Sequence, residues 1–420
     1  MQVFKFGGAS VKDAVAIQNL AQLVKLYAED ELLIVVSAMG KTTNALEKLS
    51  LAYVQQSGNL QAVFVEIKSY HDTILTELFD PSDPIFDEVE NTFVEIEWMI
   101  EEEPHDDPDF IYDQIVSIGE LVSSRIVTAF LNKVGLKSKW LDARGYIQTD
   151  NNYREALVDF DKTCELIRQD IPKMLQAEIV VTQGFLGGTS ENFTTTLGRE
   201  GSDYSAAIFA SCLNSPSLTI WKDVAGVYNA DPKRYQNIVK FEQLSYAEAV
   251  EMAFYGASII HPKTIRPLQN ANIPLYVKPF LNPAESGTVI NAEESLVKVP
   301  VIIVKPDQVL ISVSAKDHSF INENHLSEIY TILADLHIKV NLMQNSALSF
   351  TFCLDYQISK FELLLNQLKP GFNYKYNLGT ELITVRHYEV ALLQELSAGK
   401  TILLEQLSRN TAQLLIKAES

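Results

Sequence analysis

The sequence predicts an α/β protein, a mainly parallel sheet sandwiched between helices, followed by a smaller α+β region of ferredoxin-like order. Three observations carry that expectation. Over roughly the first 290 residues, short β-rich runs alternate with amphipathic stretches. Beyond that point the order changes to β-α-β-β-α-β. A chain of 420 residues also exceeds one compact core, so two or three domains are expected.

The strand-like runs are Val3–Phe6, Leu32–Ser37, Ser138–Leu141, Ile179–Gly184, Leu218–Lys222 and Pro274–Val277, mostly bounded by Gly, Asp or Ser. Between them, Ala14–Tyr27, Thr43–Gln55, Asp203–Cys212 and Tyr246–Tyr255 have the pattern of amphipathic helices. That alternation gives βαβ units, and ligands of such sheets sit beyond the carboxyl ends of the strands. Residues 1–295 form the first predicted domain and 296–420 the second. The second opens with strands Val299–Val304 and Val309–Ser314, where Pro300 and Pro306 suggest edges or turns. A helix (Glu323–Leu336), strands Lys339–Gln344 and Ala347–Leu354, a helix (Lys360–Leu368) and a strand around Leu382–Val385 complete one module. A short helix with strands Thr401–Glu405 and Ala412–Ile416 supplies about half of another, partial or interleaved.

Composition excludes several functions. The net charge of −20 argues against nucleic acid and anionic membranes as partners. No run reaches the roughly 18 consecutive apolar residues of a membrane span, and the N-terminus lacks the pattern of a signal peptide. Cys164, Cys212 and Cys353 are isolated, which predicts three buried thiols in a reducing cytoplasmic compartment. From Lys68 to Arg125 no Lys or Arg intervenes, whereas 17 Asp and Glu do, so any anion site must be cationic locally. Phe86, Val89, Phe93, Ile96 and Ile100 recur at helical spacing there, which predicts an acidic-faced helix on a core.

Four loops carry chemistry. Lys5-Phe6-Gly7-Gly8-Ala9-Ser10 ends the first strand, and its glycines let backbone N–H groups approach a phosphate while Lys5 adds a point charge. Purely structural glycines account for the loop equally well. Ser37 to Asn44 follows the second strand with hydroxyls that line a pocket or, alternatively, cap a helix through Thr43 or Asn44. Gly184 to Ser205 is the richest stretch, dense in Gly, Thr and Ser around Arg199, whose planar fork suits a carboxylate. Ser202 and Asp203 have helix capping as their plain role. Trp221 to Arg234 brings an acid, an aromatic and three cations around a turn, suited to a nucleotide or to nothing beyond the turn.

Taken together and in order, these loops resemble the aspartate kinases of the amino-acid kinase superfamily. The family's KFGGTSV pattern appears as Lys5 to Val11, and its VSAMxxTTN loop as Ser37 to Asn44. Its GE motif is Gly119-Glu120, followed by Ser123-Ser124-Arg125. Its QGF…TTTLGRGGSD pattern is Gln183 to Asp203, TDVxGVYxADPR is Lys222 to Lys233, and GAxVxHP is Gly256 to Pro262. The resemblance covers essentially the whole chain, with an ACT-type regulatory region at the C-terminus. It implies ATP-dependent phosphorylation of the aspartate β-carboxylate, with ATP and Mg²⁺ as cofactors and no protein ligand set nameable for the metal.

Residue by residue, the resemblance makes Lys5 and Asp203 catalytic. Ser37, Thr43, Glu120, Phe185, Arg199 and Ser202 would bind the amino acid, Glu120 at its ammonium and Arg199 at its α-carboxylate. Gly7, Gly8, Ser10, Lys222, Asp223, Tyr228, Lys233 and Ser258 would hold the nucleotide. Met343, Gln344, Asn345 and Ser346 would meet an effector, lysine more than threonine, although core strand-and-turn roles explain them too. His261 is expected to be structural. A homodimer or dimer of dimers is implied, without nucleic acid, membrane or an appended dehydrogenase domain. The chain departs from the pattern at Ala9, Glu200, Lys222 and Ser258, where Thr, Gly, Thr and Lys are usual, and Lys222 or Lys263 would compensate for Ser258. Rival readings are a sister kinase acting on glutamate, acetylglutamate, carbamate or UMP, and a catalytically dead amino-acid sensor.

Overall fold

Leu32–Val36 is apolar and buried at all five positions, as a central parallel strand covered on both faces must be. In the computed structural model, which describes residues 1–257, 260–294 and 299–418, this strand sits inside an eight-stranded sheet. The chain forms two compact units. Met1–Val227, Lys240–Val250 and Ile259–Ser295 make the first; Tyr228–Val239, Glu251–Ser258 and Leu296–Ser420 make the second.

The strands of the first sheet and its neighbours run β1 (Gln2–Phe6), β2 (Leu32–Val36), β3 (Ser138–Leu141), β4 (Ile179–Gln183), β5 (Leu186–Gly188) and β6 (Thr194–Thr196). They continue through β7 (Leu218–Lys222), β8 (Gln243–Ser245), β9 (Leu275–Pro279) and β10 (Thr288–Asn291). The order is β3-β4-β2-β1-β7-β9-β10-β8, parallel throughout except for β9 against β10; β5 and β6 form a separate hairpin. Helices α1 (Ala14–Lys25), α2 (Thr42–Val54), α3 (Leu60–Leu78), α4 (Ile85–Glu101), α5 (Pro108–Val116), α6 (Ile118–Lys133), α7 (Phe160–Leu175), α8 (Gly201–Cys212), α9 (Tyr246–Phe254) and α10 (Pro262–Ala271) connect the strands. The acidic helix is α4, with Val89, Phe93 and Ile96 buried and Lys68 paired to Glu90 and Glu97. Pro108–Lys133 is long and apolar enough to cross a membrane, and most of it is core.

Register decides where the site forms. Phe6 lies opposite Val36 and Trp221, and Val36 lies opposite Gln183. The loops after β1, β2, β4 and β7 therefore leave the sheet at one carboxyl edge.

The second unit contains β11 (Val301–Ala315), α11 (Glu323–Asp335), β12 (Val340–Asn345), β13 (Phe350–Asp355), α12 (Ile358–Leu368), β14 (Phe372–Arg386), α13 (Val390–Ser397), β15 (Lys400–Leu407) and β16 (Thr411–Ala418). Its sheet is antiparallel, ordered β12-β13-β11-β14-β16-β15. Two expectations change here. The predicted strands around Pro306 are one central strand, because register shifts near Gln308 and a left-handed Asp307 (φ 51°) absorb the proline without ending the strand. The strand expected at Leu382–Val385 is the last part of a 15-residue one. Each long strand serves two apolar cores: Val309, Ile311 and Val313 pack with α11 and α12, while Ile383 and Val385 pack with Leu393 and Leu396 of α13.

The cysteines also differ from expectation. Cys164 on α7 and Cys212 at the end of α8 form a disulfide, and Cys353 is a free buried thiol. The two partners lie on separate helices, 48 residues apart, so spacing in sequence does not reveal the pair.

Candidate active site

Lys5 projects from β1 into the start of α8, where its Nζ lies 2.6 Å from Asp203 Oδ1. Lys222, the last residue of neighbouring β7, approaches the other oxygen of the same carboxylate at 4.0 Å. Burial pushes the Asp203 carboxyl up, but the two lysine charges and the Lys5 hydrogen bond outweigh it and hold Asp203 below the usual range. Two cations around one anion leave the cluster a positive charge in excess. Asp203 is not a helix cap: the N-cap of α8 is Glu200, and no side chain caps the helix.

Glycines keep the adjoining loops close. A Cβ on Gly8 would lie 2.8 Å from the carbonyl oxygens of Ala38 and Gly40, so the turns after β1 and β2 touch only because it is absent. Gly7 lies beside the Lys5 ammonium. The Ser10 hydroxyl donates to the Trp221 carbonyl at 3.4 Å, which gives it a role in fixing this turn.

Glu120 sits in the first turn of α6, 2% exposed. Its Oε1 accepts from the Ala38 amide at 3.2 Å, while Oε2 is buried without a hydrogen-bond partner among the described residues. Burial pushes its carboxyl up to about 8, against the hydrogen bonds and the Lys5 charge that pull it down. A buried carboxylate with one idle oxygen is suited to a cationic ligand. Arg199 is exposed, and no described residue pairs with it. It follows left-handed Gly198 (φ 77°) and precedes left-handed Glu200 (φ 55°), which strains the position where the resembled pattern has glycine.

Other predicted residues fix the loops that carry these groups. Ser37 accepts from the Ser123 hydroxyl through its carbonyl at 2.7 Å, tying the β2 loop to α6. Thr43 lies in the first turn of α2, which has no side-chain cap, so the capping reading of this loop fails. Phe185 (φ 70°) donates its backbone amide to the Ser205 hydroxyl oxygen at 2.9 Å and packs on Gly201. Ser202 is buried against Gly184. Asp223 is exposed just after β7. Tyr228 and Lys233 belong to the second unit, and Ser258 lies outside the described residues. Lys263 Nζ stands 3.6 Å from where a Gly198 Cβ would be, bringing a further cation to the Arg199 loop. His261 caps α10, its Nδ1 accepting from the Lys263 amide at 3.2 Å.

In the second unit, Met343, Gln344 and Asn345 end the exposed edge strand β12, with Met343 51% exposed and in contact with the Tyr330 hydroxyl. Ser346 turns the chain by bonding Ser349. The Ala38 amide, the Ser123 hydroxyl and the pairing of Lys222 with Asp203 were not singled out by sequence reasoning. Backbone donors and tertiary pairings leave no mark in a linear pattern.

The amino acid kinase family model matches residues 1–279. The lysine-sensitive aspartokinase 3 of Escherichia coli (strain K12) is 32% identical over 356 residues, covering 84% of this chain and 78% of its own length. The chain belongs to the aspartokinases of the amino acid kinase family. Chloroplastic aspartokinase 1 of Arabidopsis thaliana is likewise 32% identical over 84% of this aspartokinase chain, which spans 63% of the plant protein. Among solved structures, E. coli aspartokinase III in complex with aspartate and ADP (R-state) matches with a TM-score of 0.83 at 27% identity, over 99% of this chain and 96% of that one. The lysine and aspartate complex of the same protein (T-state) matches equally.

Proposed function

We propose that this aspartokinase transfers the γ-phosphoryl group of ATP to the β-carboxylate of L-aspartate, giving 4-phospho-L-aspartate and ADP. The observation that carries the substrate is the idle, buried Glu120 Oε2 together with the unpaired Arg199 fork, a pair suited to an ammonium and a carboxylate on one small molecule. The E. coli structure solved with aspartate and ADP supports the same choice. The acceptor carboxylate, with an unperturbed pKa near 4, is ionised at neutral pH and needs no general base. Its oxygen attacks the γ-phosphorus as the bond to the β,γ-bridging oxygen breaks and ADP departs. Lys5 neutralises charge on the transferring group, Asp203 holds Lys5 in place, and Lys222 adds a second cation from β7. The Gly7–Gly8 turn and Asp223 complete the nucleotide side.

Mg²⁺ enters as part of the nucleotide substrate. No group of three metal-binding side chains occurs among the described residues, and Asp203 is already engaged by two lysines. These residues do not form a cage for the ion, so phosphate oxygens and water hold it.

The enzyme works in the cytoplasm as a homodimer, with residues 296–420 acting as an ACT-type regulatory region. The exposed edge strand β12 supports pairing with a second copy. Lysine inhibits by binding near Met343 to Ser346; the E. coli relative is named lysine-sensitive and is solved with lysine. A hydroxamate assay with ATP, Mg²⁺ and a panel of acceptors tests the activity. Aspartyl hydroxamate is expected; preference for glutamate, acetylglutamate, carbamate or UMP, or no turnover at all, overturns it. Titration with lysine and threonine, singly and together, tests regulation, and insensitivity to both removes the effector site.

A further inference from the structure

Asp113 on α5 is fully buried, yet everything it accepts is polar. Its Oδ1 accepts from the Thr196 hydroxyl at 2.6 Å, and its Oδ2 accepts from the backbone amides of Thr196 at 2.8 Å and Arg154 at 3.0 Å. Burial pushes this carboxyl up to about 6, while the Thr196 and Arg154 bonds and the Arg154 charge oppose the rise. A carboxylate in such a place offsets its desolvation only through the bonds it makes, so where those bonds lead is informative.

They lead to the Arg199 loop. Thr196 is the last residue of β6, and Leu197-Gly198-Arg199 follows it directly. Arg154 (φ 67°) presses its carbonyl against the same loop, 3.3 Å from where a Gly198 Cβ would stand. The Arg154 guanidinium serves the same attachment: it lies 3.9 Å above the Tyr112 ring and 3.0 Å from Asp109, both on α5. Gln114, the next residue of α5, adds a bond to the Thr194 carbonyl at 2.9 Å. In the other direction, the Ser117 amide bonds the Asp113 carbonyl, and the Glu120 amide bonds the Ser117 carbonyl. One short helix thus anchors the Arg199 loop with its side chains and delivers Glu120 through its C-terminal turn.

We propose that Asp113 is a positioning residue for the amino-acid substrate: by bridging α5 to Thr196 and Arg154, it fixes the span between Glu120 and Arg199. This deepens the reading in which those two residues hold the ammonium and α-carboxylate, and it rests on that reading. The role is one of hydrogen-bond geometry, not charge. An asparagine can turn its oxygen to the two amides and donate its amide to the Thr196 hydroxyl, whereas alanine restores none of the three bonds.

Steady-state kinetics of Asp113→Ala, Asp113→Asn and Thr196→Val, with Arg199→Ala as reference and a thermal midpoint for each, test the proposal. Asp113→Ala is expected to raise KM for aspartate about ten-fold or more, leaving KM for ATP within about two-fold. Asp113→Asn should stay within about three-fold of the parent, and Thr196→Val should raise KM for aspartate about three-fold at near-parental melting temperature. A purely structural role would lower the thermal midpoint and the active fraction without separating the two KM values. The proposal is overturned if aspartate and ATP constants move together or not at all, or if asparagine is as damaging as alanine. Should Asp113→Ala fail to fold, Thr196→Val decides alone, and an unchanged KM for aspartate overturns the idea. If Arg199→Ala leaves KM for aspartate unchanged, the clamp reading itself fails; if Arg199→Ala raises it and Asp113→Ala does not, only the role of Asp113 falls.

Discussion

The two ends of the candidate site are built on opposite plans. At the proposed phosphoryl end, Lys5, Asp203 and Lys222 satisfy one another, and Asp203 is held in its charged form despite full burial. At the proposed amino-acid end, Glu120 keeps an idle oxygen, and Arg199 stands in solvent without an ion-pair partner among the described residues. Preassembled charge costs no reorganisation when the phosphoryl group moves, which is where a rate is set. Unpaired charge is completed by the ligand, which is where selectivity is set. Losses at the first end should therefore appear in kcat, and losses at the second in KM for aspartate.

The largest effect should come from Lys5→Ala. Stopped assays should show kcat down about 10²–10³-fold, the scale on which a preorganised charge stabilises a transition state. A change confined to KM would break the contrast. Next, Glu120→Gln should raise KM for aspartate by about 10–100-fold, as expected when a charge-assisted bond is lost.

The pH dependence sharpens the same point. Free Glu120 holds its proton until about 8, but an ammonium needs the carboxylate. In the parent enzyme, KM for aspartate should fall as pH rises toward about 8 and then level off, with a proton released on binding. The Gln variant should lack this slope. Between the ordinary 4.5 and about 8, the unliganded fold also carries a proton that the unfolded chain lacks. On this group's account, ligand-free stability declines as pH rises through that window.

Lys222→Ala should be milder, about ten-fold in KM for ATP, since its ammonium lies farther from Asp203 and is more exposed than that of Lys5. Unchanged ATP affinity would remove Lys222 from the nucleotide side. The smallest effect is expected at Glu200→Gly, which frees a left-handed position and a buried unpartnered oxygen; denaturant titration should show a gain of about 1 kcal/mol.

The parallel strands were legible because a strand covered on both faces is a short apolar run, as in Leu32–Val36. The glycine-rich turns at their carboxyl ends were legible for the same reason: they sit at fixed offsets from those runs. The continuity of β11 was not, because Pro306 reads as a break and the register shift that accommodates it is made against β14, a strand distant in sequence. Asp203 had two readings in sequence, a helix cap or an ion-pair partner for site cations. Only the fold separates them, by bringing β1 and β7 to the same carboxylate. Asp113 is one acid in a long acidic stretch, and composition does not distinguish it from exposed neighbours such as Asp107 and Asp109.

The two long strands of the second unit have a mechanical consequence. β11 and β14 pair from Val301 with Arg386 to Ala315 with Phe372, crossing from one apolar core into the next. A strand of 15 residues spans about 50 Å at ordinary rise. Neither half can melt while the other keeps these strands in register, so the unit should lose its structure in one cooperative step. Cutting it between the halves would leave two fragments, each missing part of its own sheet.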